Sequence, residues 1–179
     1  SAYAAMPDIT RVVTPDLKYP GASNLIFIDA ASGQNRMGGS ALAQTIGQLG
    51  SESPDMDDPL LLRKTFLVVQ DLIERGLITA GHDRSDGGLI TTVLEMAFSG
   101  NCGFELHVDG ECSAIEGLFS EELGLVIECL ERDSREVIQA LRGQGIPCRN
   151  LGSTTPARRI TIHYNNDVVL DEDMAVLRQ

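Results

Sequence analysis

The residues best equipped for chemistry are seven consecutive ones, His82 to Gly88, with the sequence HDRSDGG. Asp83 could supply a hard oxygen ligand to Mg²⁺, a metal that proteins usually hold with one or two carboxylates together with substrate phosphates. Ser85 could donate a hydrogen bond to a phosphate oxygen. Free N–H groups near Gly87 and Gly88 could bind an anion at the start of a helix. The run therefore allows a magnesium, nucleotide or phosphate site.

The same seven residues also allow a purely structural interpretation. Asp, Ser and Gly are ordinary turn residues, so Asp86 could cap the following helix while the glycines permit positive φ. His82 could orient Asp83 or bind phosphate, and a hydrogen-bonded structural histidine fits equally well. From residue chemistry alone we favour the turn.

Two further segments carry candidate binding residues. Gly38, Gly39 and Ser40 lie in a connection between a strand and a helix, where a backbone could approach a ligand closely. Neither a Walker A pattern nor G-x-G-x-x-G is present, so a structural loop is the default interpretation. Glu121 and Glu122 form an acidic pair that could act in acid–base or metal chemistry, or could be a solvated element end.

Composition excludes several classes of function. The 179 residues include 14 Lys and Arg against 26 Asp and Glu, a net charge of −12, and only 4% are aromatic. Such a surface repels phosphate backbones and offers few rings for base stacking, which argues against nucleic acid and anionic membranes as partners. No segment reaches the roughly 18 apolar residues of a membrane span. Four irregularly spaced cysteines indicate reduced thiols in a cytoplasmic protein and argue against zinc.

Alternating strands and helices must position these segments. The patterns predict strands over 24–29, 77–81, 104–108, 123–130, 160–164 and 168–170, and helices over 41–46, 59–76, 88–100 and 134–143. Ser40 is the predicted N-cap of the first helix, and Asp57 or Asp58 that of the second, with Pro59 as its first residue. On the second helix, helical spacing relates Leu62, Phe66, Val69 and Ile73. A hairpin turn is predicted at Asn165-Asn166-Asp167. Residues 1–23 carry three prolines and little periodicity, which predicts an extended arm or linker, and residues 24–179 are predicted to form one domain. The predicted fold class is α+β, or layered α/β, with a mixed β-sheet and helices packed on it.

Taken in order, the motifs resemble one enzyme family. Segments 38–44, 82–89, 95–103 and 119–124 are similar in sequence and spacing to parts of phosphoribosylformylglycinamidine synthases, the large single-chain, glutamine-dependent ligases of de novo purine biosynthesis. The resemblance covers essentially the whole chain and is to the second AIR-synthetase-type C-terminal domain. It implies that the chain is a fragment of a longer multidomain enzyme.

The resemblance also implies a reaction and a site. The family converts formylglycinamide ribonucleotide, ATP and glutamine to formylglycinamidine ribonucleotide, ADP, phosphate and glutamate. Asp83 becomes a ligand of Mg²⁺ and Ser85 a contact of the nucleotide, ATP or ADP, in half of a site completed by the preceding synthetase domain. A C-terminal glutaminase domain of the same chain would supply ammonia, and the fragment alone is expected to be inactive, with no catalytic residue of its own. The expected neighbours of the site are His82, Asp86, Gly87, Gly88, Gly38, Gly39, Ser40 and Glu121.

One position departs from the family pattern, and one alternative function stays open. Ser120 stands where related sequences commonly carry Asn in a Phe-Asn-Glu-Glu-Leu-Gly motif, so a substrate role is not carried over to it. The alternative is a free-standing module that binds a nucleotide or phosphometabolite without catalysis, or an interaction domain whose glycine-rich loops are only turns.

Overall fold

A computed structural model describes Ala5 and residues 8–179, and it contains one seven-stranded mixed sheet. The strands are Ser23–Asp29 (β1), Ala80–Asp83 (β2), Gly103–Val108 (β3), Gly124–Leu130 (β4), Cys148–Thr155 (β5), Arg159–Tyr164 (β6) and Asp167–Asp173 (β7). Their order across the sheet is β2-β4-β1-β5-β3-β6-β7. Every neighbouring pair is antiparallel except β3 and β6, which are parallel. The predicted mixed sheet is confirmed.

Helices cover both faces of this sheet. They are Ala41–Thr45 (α1), Pro59–Glu74 (α2), Gly88–Gly100 (α3), Ala114–Phe119 (α4), Ser134–Gly143 (α5) and Met174–Leu177 (α6). Leu25 and Phe27 of β1 join a core that includes side chains of α3 and α4, whereas Ile26 and Ile28 join a second core with α2 and α5. Because successive side chains of a strand point to opposite faces, β1 must be apolar at each of the four consecutive positions 25–28.

Two helix starts follow the sequence prediction. Asp58 caps α2, since its Oδ1 accepts from the N–H groups of Leu60 and Leu61 at 2.9 and 3.0 Å. Pro59 then occupies the first helical position, where its missing N–H has no cost. Ser40 caps α1 by accepting from the N–H of Ala43 at 3.2 Å. These cap predictions are confirmed.

The buried face of α2 differs from the one that helical spacing suggested. Leu61, Thr65 and Leu72 are buried, whereas Phe66 is 61% exposed. The helix therefore presents an apolar side chain outward, and periodicity alone could not show which of two adjacent stripes meets the sheet.

Other differences concern elements with weak local signals. Helix α4 and strand β5 were not predicted. Strand β2 begins three residues later than expected and runs through Asp83, so His82 and Asp83 end a strand instead of lying in a loop. The predicted hairpin turn is confirmed, with Asn165 and Asn166 at φ values of 49° and 72°.

The described part of residues 1–23 lies against the sheet. Ile9–Arg11 forms a single 3₁₀ turn, and Leu17 is buried in the core that contains α3. The main-chain N–H groups of Lys18 and Tyr19 donate to the Glu128 carboxylate of β4. Pro7, one of the prolines that predicted the arm, lies outside the described residues. No helix in the described ranges is long and apolar enough to cross a membrane.

Candidate functional site

Asp83 presents its carboxylate at the end of edge strand β2. Its side chain is 69% exposed, and His82 Nδ1 lies 3.2 Å from Asp83 Oδ1. His82 is itself held from both sides, because its Nδ1 is 2.8 Å from the Asp83 carbonyl oxygen and its Nε2 is 3.0 Å from Glu95 Oε2 of α3. Within the described residues, no other side chain bonds the Asp83 carboxylate, so it remains available to a ligand.

Arg84 points the other way, into the protein. It is buried, its Nε donates to the carbonyl oxygen of Glu122 at 2.5 Å and its Nη2 donates to that of Leu123 at 3.2 Å. Its guanidinium lies 4.9 Å from the centre of the Phe27 ring. Burial lowers the pKa of Arg84 to about 10, and nearby Asp29 and Glu122 partly oppose that shift. Arg84 therefore joins the 82–88 segment to the 119–124 segment.

The Glu121 carboxylate links the starts of two helices by accepting hydrogen bonds from both. Its Oε1 accepts from the main-chain N–H of Ala41, in α1, and from that of Gly87, before α3, both at 2.8 Å. The N–H of Gly88 donates to the carbonyl oxygen of Ser85. The two amides proposed from sequence as an anion site are thus engaged within the chain.

Glu122 is completely buried and pairs with Arg36 through both carboxylate oxygens. Arg36 Nε lies 2.6 Å from Oε1, its Nη2 lies 2.9 Å from Oε2, and its main-chain N–H also donates to Oε1 at 3.1 Å. Arg36 makes a second pair with the half-exposed Asp57 at 2.7 Å. Glu122, followed by Asp57, raises the pKa of Arg36. This two-point pairing gives one fixed orientation to the loop that follows β1.

The Gly38-Gly39 loop approaches the chain's own backbone closely. The Gly38 N–H donates to the Glu52 carbonyl oxygen at 2.7 Å, and a Cβ at Gly38 would lie 2.4 Å from that oxygen. The Gly39 N–H donates to the Leu49 carbonyl oxygen, and Gly39 has a φ of +76°. These contacts match the structural loop that was the default interpretation of this segment.

Gly87 and Gly88 are required by the packing of the helix that they open. Their φ values are +84° and +74°, and a Cβ at Gly88 would lie 2.6 Å from the carbonyl carbon of Phe119. Asp86 is exposed and does not cap α3, which has Gly87 at its N-cap and no side-chain cap. Ser85 is exposed, and its Oγ bonds no other described residue. The structure therefore leaves Asp83 and Ser85 outward-facing at one edge, above a framework made by Arg84, Glu121 and Glu122.

A cleft of about 460 Å³ lies beside this framework. Its walls include Asp29, Asn35, Arg84, Arg149 and Tyr164, but neither Asp83 nor Ser85. Both guanidiniums pack over the Phe27 ring, at 4.9 and 5.3 Å from its centre. Asp109 and Glu111 line the cleft along with Asp29, so it mixes acidic and basic groups, and the exposed Asp83 lies outside it.

The structure adds residues that the sequence interpretation did not place in the site. Arg36, Arg84 and Arg149 were not selected, because an isolated arginine in a sequence gives no sign of its partner. Ser120, the position that departs from the family motif, is fully buried, and its Oγ has no hydrogen-bond partner among the described residues. Placing that hydroxyl required the fold.

Three of the four cysteine thiols have raised pKa values. All four are free thiols. Burial raises the pKa of Cys102 to about 11 and also raises the pKa values of Cys129 and Cys148, and a raised pKa depletes the nucleophilic thiolate. These three thiols are therefore poor nucleophiles.

Residues 26–165 match the family described as AIR synthase related protein, C-terminal domain. The chain belongs to that family. It is 45% identical over 183 residues to the phosphoribosylformylglycinamidine synthase of Homo sapiens, covering 99% of this chain and 14% of the human protein. It is also 45% identical over 180 residues to the probable chloroplastic/mitochondrial phosphoribosylformylglycinamidine synthase of Arabidopsis thaliana, covering 99% of this chain and 13% of the relative. The chain thus spans about one seventh of the length of these relatives.

Solved structures show the same fold at low sequence identity. Thermotoga maritima PurL complexed with ATP matches with a TM-score of 0.75 at 18% identity, over 94% of this chain and 27% of that one. The same protein complexed with FGAR matches with a TM-score of 0.77 at 18% identity, over 94% of this chain and 30% of that one. The fold of the C-terminal domain is therefore shared with proteins whose complexes contain ATP or FGAR.

Proposed function

We propose that this chain is the second AIR-synthetase-type C-terminal domain of a large phosphoribosylformylglycinamidine synthase and forms half of a Mg-nucleotide site. The observation that carries the proposal is the outward-facing pair Asp83 and Ser85, at the edge where three motif segments meet. The carboxylates beside that edge are already engaged, Glu121 with main-chain amides and Glu122 with Arg36. In this proposal residues 1–23 are an arm and residues 24–179 are the domain.

The donor atoms at this edge fit magnesium. One exposed carboxylate beside a hydroxyl offers hard oxygen ligands, and Mg²⁺ usually takes one or two protein carboxylates, several waters and phosphate oxygens. In the proposal Asp83 holds the ion and Ser85 donates a hydrogen bond to ATP or ADP. When bound, Mg²⁺ offsets the phosphate charge, which a chain of net charge −12 would otherwise repel.

The complete enzyme would convert formylglycinamide ribonucleotide, ATP and glutamine to formylglycinamidine ribonucleotide, ADP, phosphate and glutamate. ATP would phosphorylate the amide oxygen of the substrate, and ammonia from glutamine would displace the phosphate. This chain's contribution is to position the half-site. Arg84 and Glu122 fix segments 82–88 and 119–124 relative to each other. Asp83 and Ser85 would therefore face the second half-site with little loss of conformational entropy on binding. No residue of this chain is assigned a catalytic role.

Two domains of the same enzyme are the proposed partners: the preceding synthetase domain and a C-terminal glutaminase domain. Support comes from the segment that follows the Gly38-Gly39 loop, where the apolar side chains of Ile46, Leu49, Met56 and Leu60 are 47–66% exposed. Such a group is typical of a surface that packs on another domain. We also propose a cytoplasmic location, which the four free thiols support. The name of the Arabidopsis relative places that protein in chloroplasts or mitochondria.

The decisive experiment measures nucleotide that co-purifies with the full-length protein. Asp83→Asn should lower the retained nucleotide about tenfold or more, a scale of loss seen even for changes outside the direct ligands of a metal. Ser85→Ala should have a smaller effect, since one hydrogen bond contributes roughly 1 kcal/mol. Nucleotide is quantified by chromatography after denaturation. Asp167→Asn, another exposed carboxylate in the distant β6–β7 hairpin, is the matched control. Equal retention by Asp83→Asn and the control would contradict the assignment of Asp83.

Calorimetry on the 179-residue chain separates the half-site from a free-standing binding module. ATP with Mg²⁺ should bind weakly or undetectably to this chain alone, because the ligands of the preceding domain are absent. Tight, magnesium-dependent binding that Asp83→Asn abolishes would instead favour the free-standing module.

A further inference from the structure

The sheet carries a second group of potential ligands, remote in sequence from the motif segments. Glu105 and His107 of β3 and His163 of β6 offer ligand atoms that all lie within 4.8 Å of one another. The parallel pairing of β3 and β6 sets His107 directly opposite His163. Glu105 lies two residues before His107 and therefore shares its face of the sheet.

This face is open, although the opposite face of the same strands is a core. Phe104, Leu106 and Ile162 are buried in the core beneath α3 and α4. The side chains of Glu105 and His107 are both 56% exposed, whereas that of His163 is 19% exposed. A cation could therefore reach the group from solvent without any rearrangement of the core.

The two imidazole rings are stacked on each other. Their ring centres are 4.4 Å apart with an interplanar angle of 9°. His163 Nε2 is buried and has no hydrogen-bond partner among the described residues. A buried polar nitrogen without a partner has a free-energy cost, which a metal–nitrogen bond would remove.

The distances are close to those of a metal site. Glu105 Oε1 lies 3.5 Å from His163 Nε2 and 3.7 Å from His107 Nε2. Around a tetrahedral zinc ion with bonds of about 2.0–2.2 Å, ligand atoms are about 3.3–3.5 Å apart. For both imidazoles to bind one ion, the exposed His107 ring would have to turn out of the stack, because two parallel rings cannot both point a nitrogen lone pair at the same atom.

We propose that Glu105, His107 and His163 form a binding site for a divalent transition-metal ion of the zinc class. Two imidazole nitrogens and one carboxylate oxygen favour zinc, cobalt or nickel over magnesium and calcium, which prefer oxygen ligands. The net charge of −12 favours cation binding in general. Cysteine spacing bears only on zinc sites with thiolate ligands, and this site contains no cysteine. This site is independent of the proposed nucleotide function.

Its effect on the fold follows from the strand order. Among the described strands, the parallel β3–β6 pair is the only strand pairing between β6–β7 and the rest of the sheet. A metal ion bound by residues of β3 and β6 would cross-link the β6–β7 hairpin to the rest of the sheet. Binding should therefore stabilise the folded chain, because the assembled site exists only in the folded state.

The test is a titration of the full chain with Zn²⁺, followed by calorimetry, and with Co²⁺, followed by its absorption spectrum. We expect one equivalent to bind, the unfolding midpoint to rise, and millimolar Mg²⁺ not to compete. His107→Gln and Glu105→Gln should each weaken Zn²⁺ binding about tenfold or more. Both side chains are exposed, so these variants keep the core intact even if His163→Gln does not fold.

His82→Gln is the matched control, because it removes the third histidine of the chain, which also lies beside carboxylates. It should bind Zn²⁺ as the unaltered chain does. Absence of stoichiometric Zn²⁺ binding would overturn the proposal. So would unchanged affinity in both His107→Gln and Glu105→Gln, or an equal loss in His82→Gln.

Discussion

Two glutamates near one strand, Glu122 and Glu128, are both completely buried, and the chain accommodates them in opposite ways. Glu122 is held by a cation, the guanidinium of Arg36, through both of its oxygens. Glu128 has no cationic side chain bound to it in the described residues. It accepts instead from the main-chain N–H groups of Lys18 and Tyr19 and from the hydroxyls of Ser23 and Thr79, at 2.6–3.1 Å.

The difference corresponds to what each region must hold. The Glu122 region joins loops that carry the candidate site, and a two-point ion pair fixes one orientation of these loops. The Glu128 region attaches the residues before β1 to the sheet, and neutral dipoles distributed around a carboxylate hold a length of backbone. The Arg36–Glu122 ion pair thus restrains the loops of the candidate site, and the hydrogen bonds to Glu128 restrain the segment before β1.

The largest effect should come from removing the cation. Arg36→Ala leaves Glu122 buried without its counter-charge, and breaking a buried pair from one side costs about 3–5 kcal/mol. We expect a loss of that order in the free energy of unfolding, measured by denaturant titration. The double variant Arg36→Met with Glu122→Leu should recover much of the loss. A loss below about 1 kcal/mol in Arg36→Ala, the range of exposed pairs, would show that the pair is not effectively buried.

A smaller effect should follow when Glu128 becomes an amide. Glu128→Gln removes the charge of the acceptor, and hydrogen bonds to a neutral amide are weaker than those to a carboxylate, so we expect a cost of about 1–3 kcal/mol. Trypsin should also cleave faster at Lys18 or Arg11, because the segment before β1 is held less firmly. Glu131→Gln, an exposed glutamate just after β4, is the control and should change neither stability nor cleavage. Unaltered cleavage in Glu128→Gln would contradict the proposed attachment.

The smallest effect should come from the outer partner of Arg36. Asp57 is 51% exposed, and exposed ion pairs contribute about 0–1 kcal/mol. Asp57→Asn should therefore change the unfolding free energy by less than about 1 kcal/mol, and added salt should reduce the difference further. An effect as large as that of Arg36→Ala would mean that Asp57, and not Glu122, is the main partner.

Local sequence signals predicted much of the fold, and the reasons are visible at individual residues. Asp58 followed by Pro59, Ser40 before α1 and the Asn165-Asn166 turn act through their nearest neighbours, so their effects can be read from a few positions. Strand β5 was missed because Arg149, Asn150 and Ser153 interrupt its apolar pattern and a register shift interrupts its pairing with β1. Helical periodicity predicts Phe66 on an apolar face of α2, but the sheet does not contact that face.

The candidate site shows the same division. The motif order identified Asp83, Ser85 and Glu121 as residues of interest, and their assigned roles remain predictions. The pairing of Arg36 with Glu122, 86 residues apart, had no local signal. The hydrogen bond from the Gly87 N–H to Glu121 also had no local signal in the sequence. The two groups are 34 residues apart and meet only because the starts of two helices pack together.

By itself, the sequence determined the fold class, the caps of α1 and α2, the turn at Asn165-Asn166 and the family. It also determined the acidic net charge, which would repel a bound phosphate in the absence of a cation. Only the tertiary structure decided which carboxylates are engaged internally and which face outward, and it alone brought two histidines of different strands into contact. The physical reason is the separation along the chain of the groups that interact. Caps and turns depend on hydrogen bonds over a few residues, whereas burial and charge pairing depend on groups that folding brings together from distant parts of the chain.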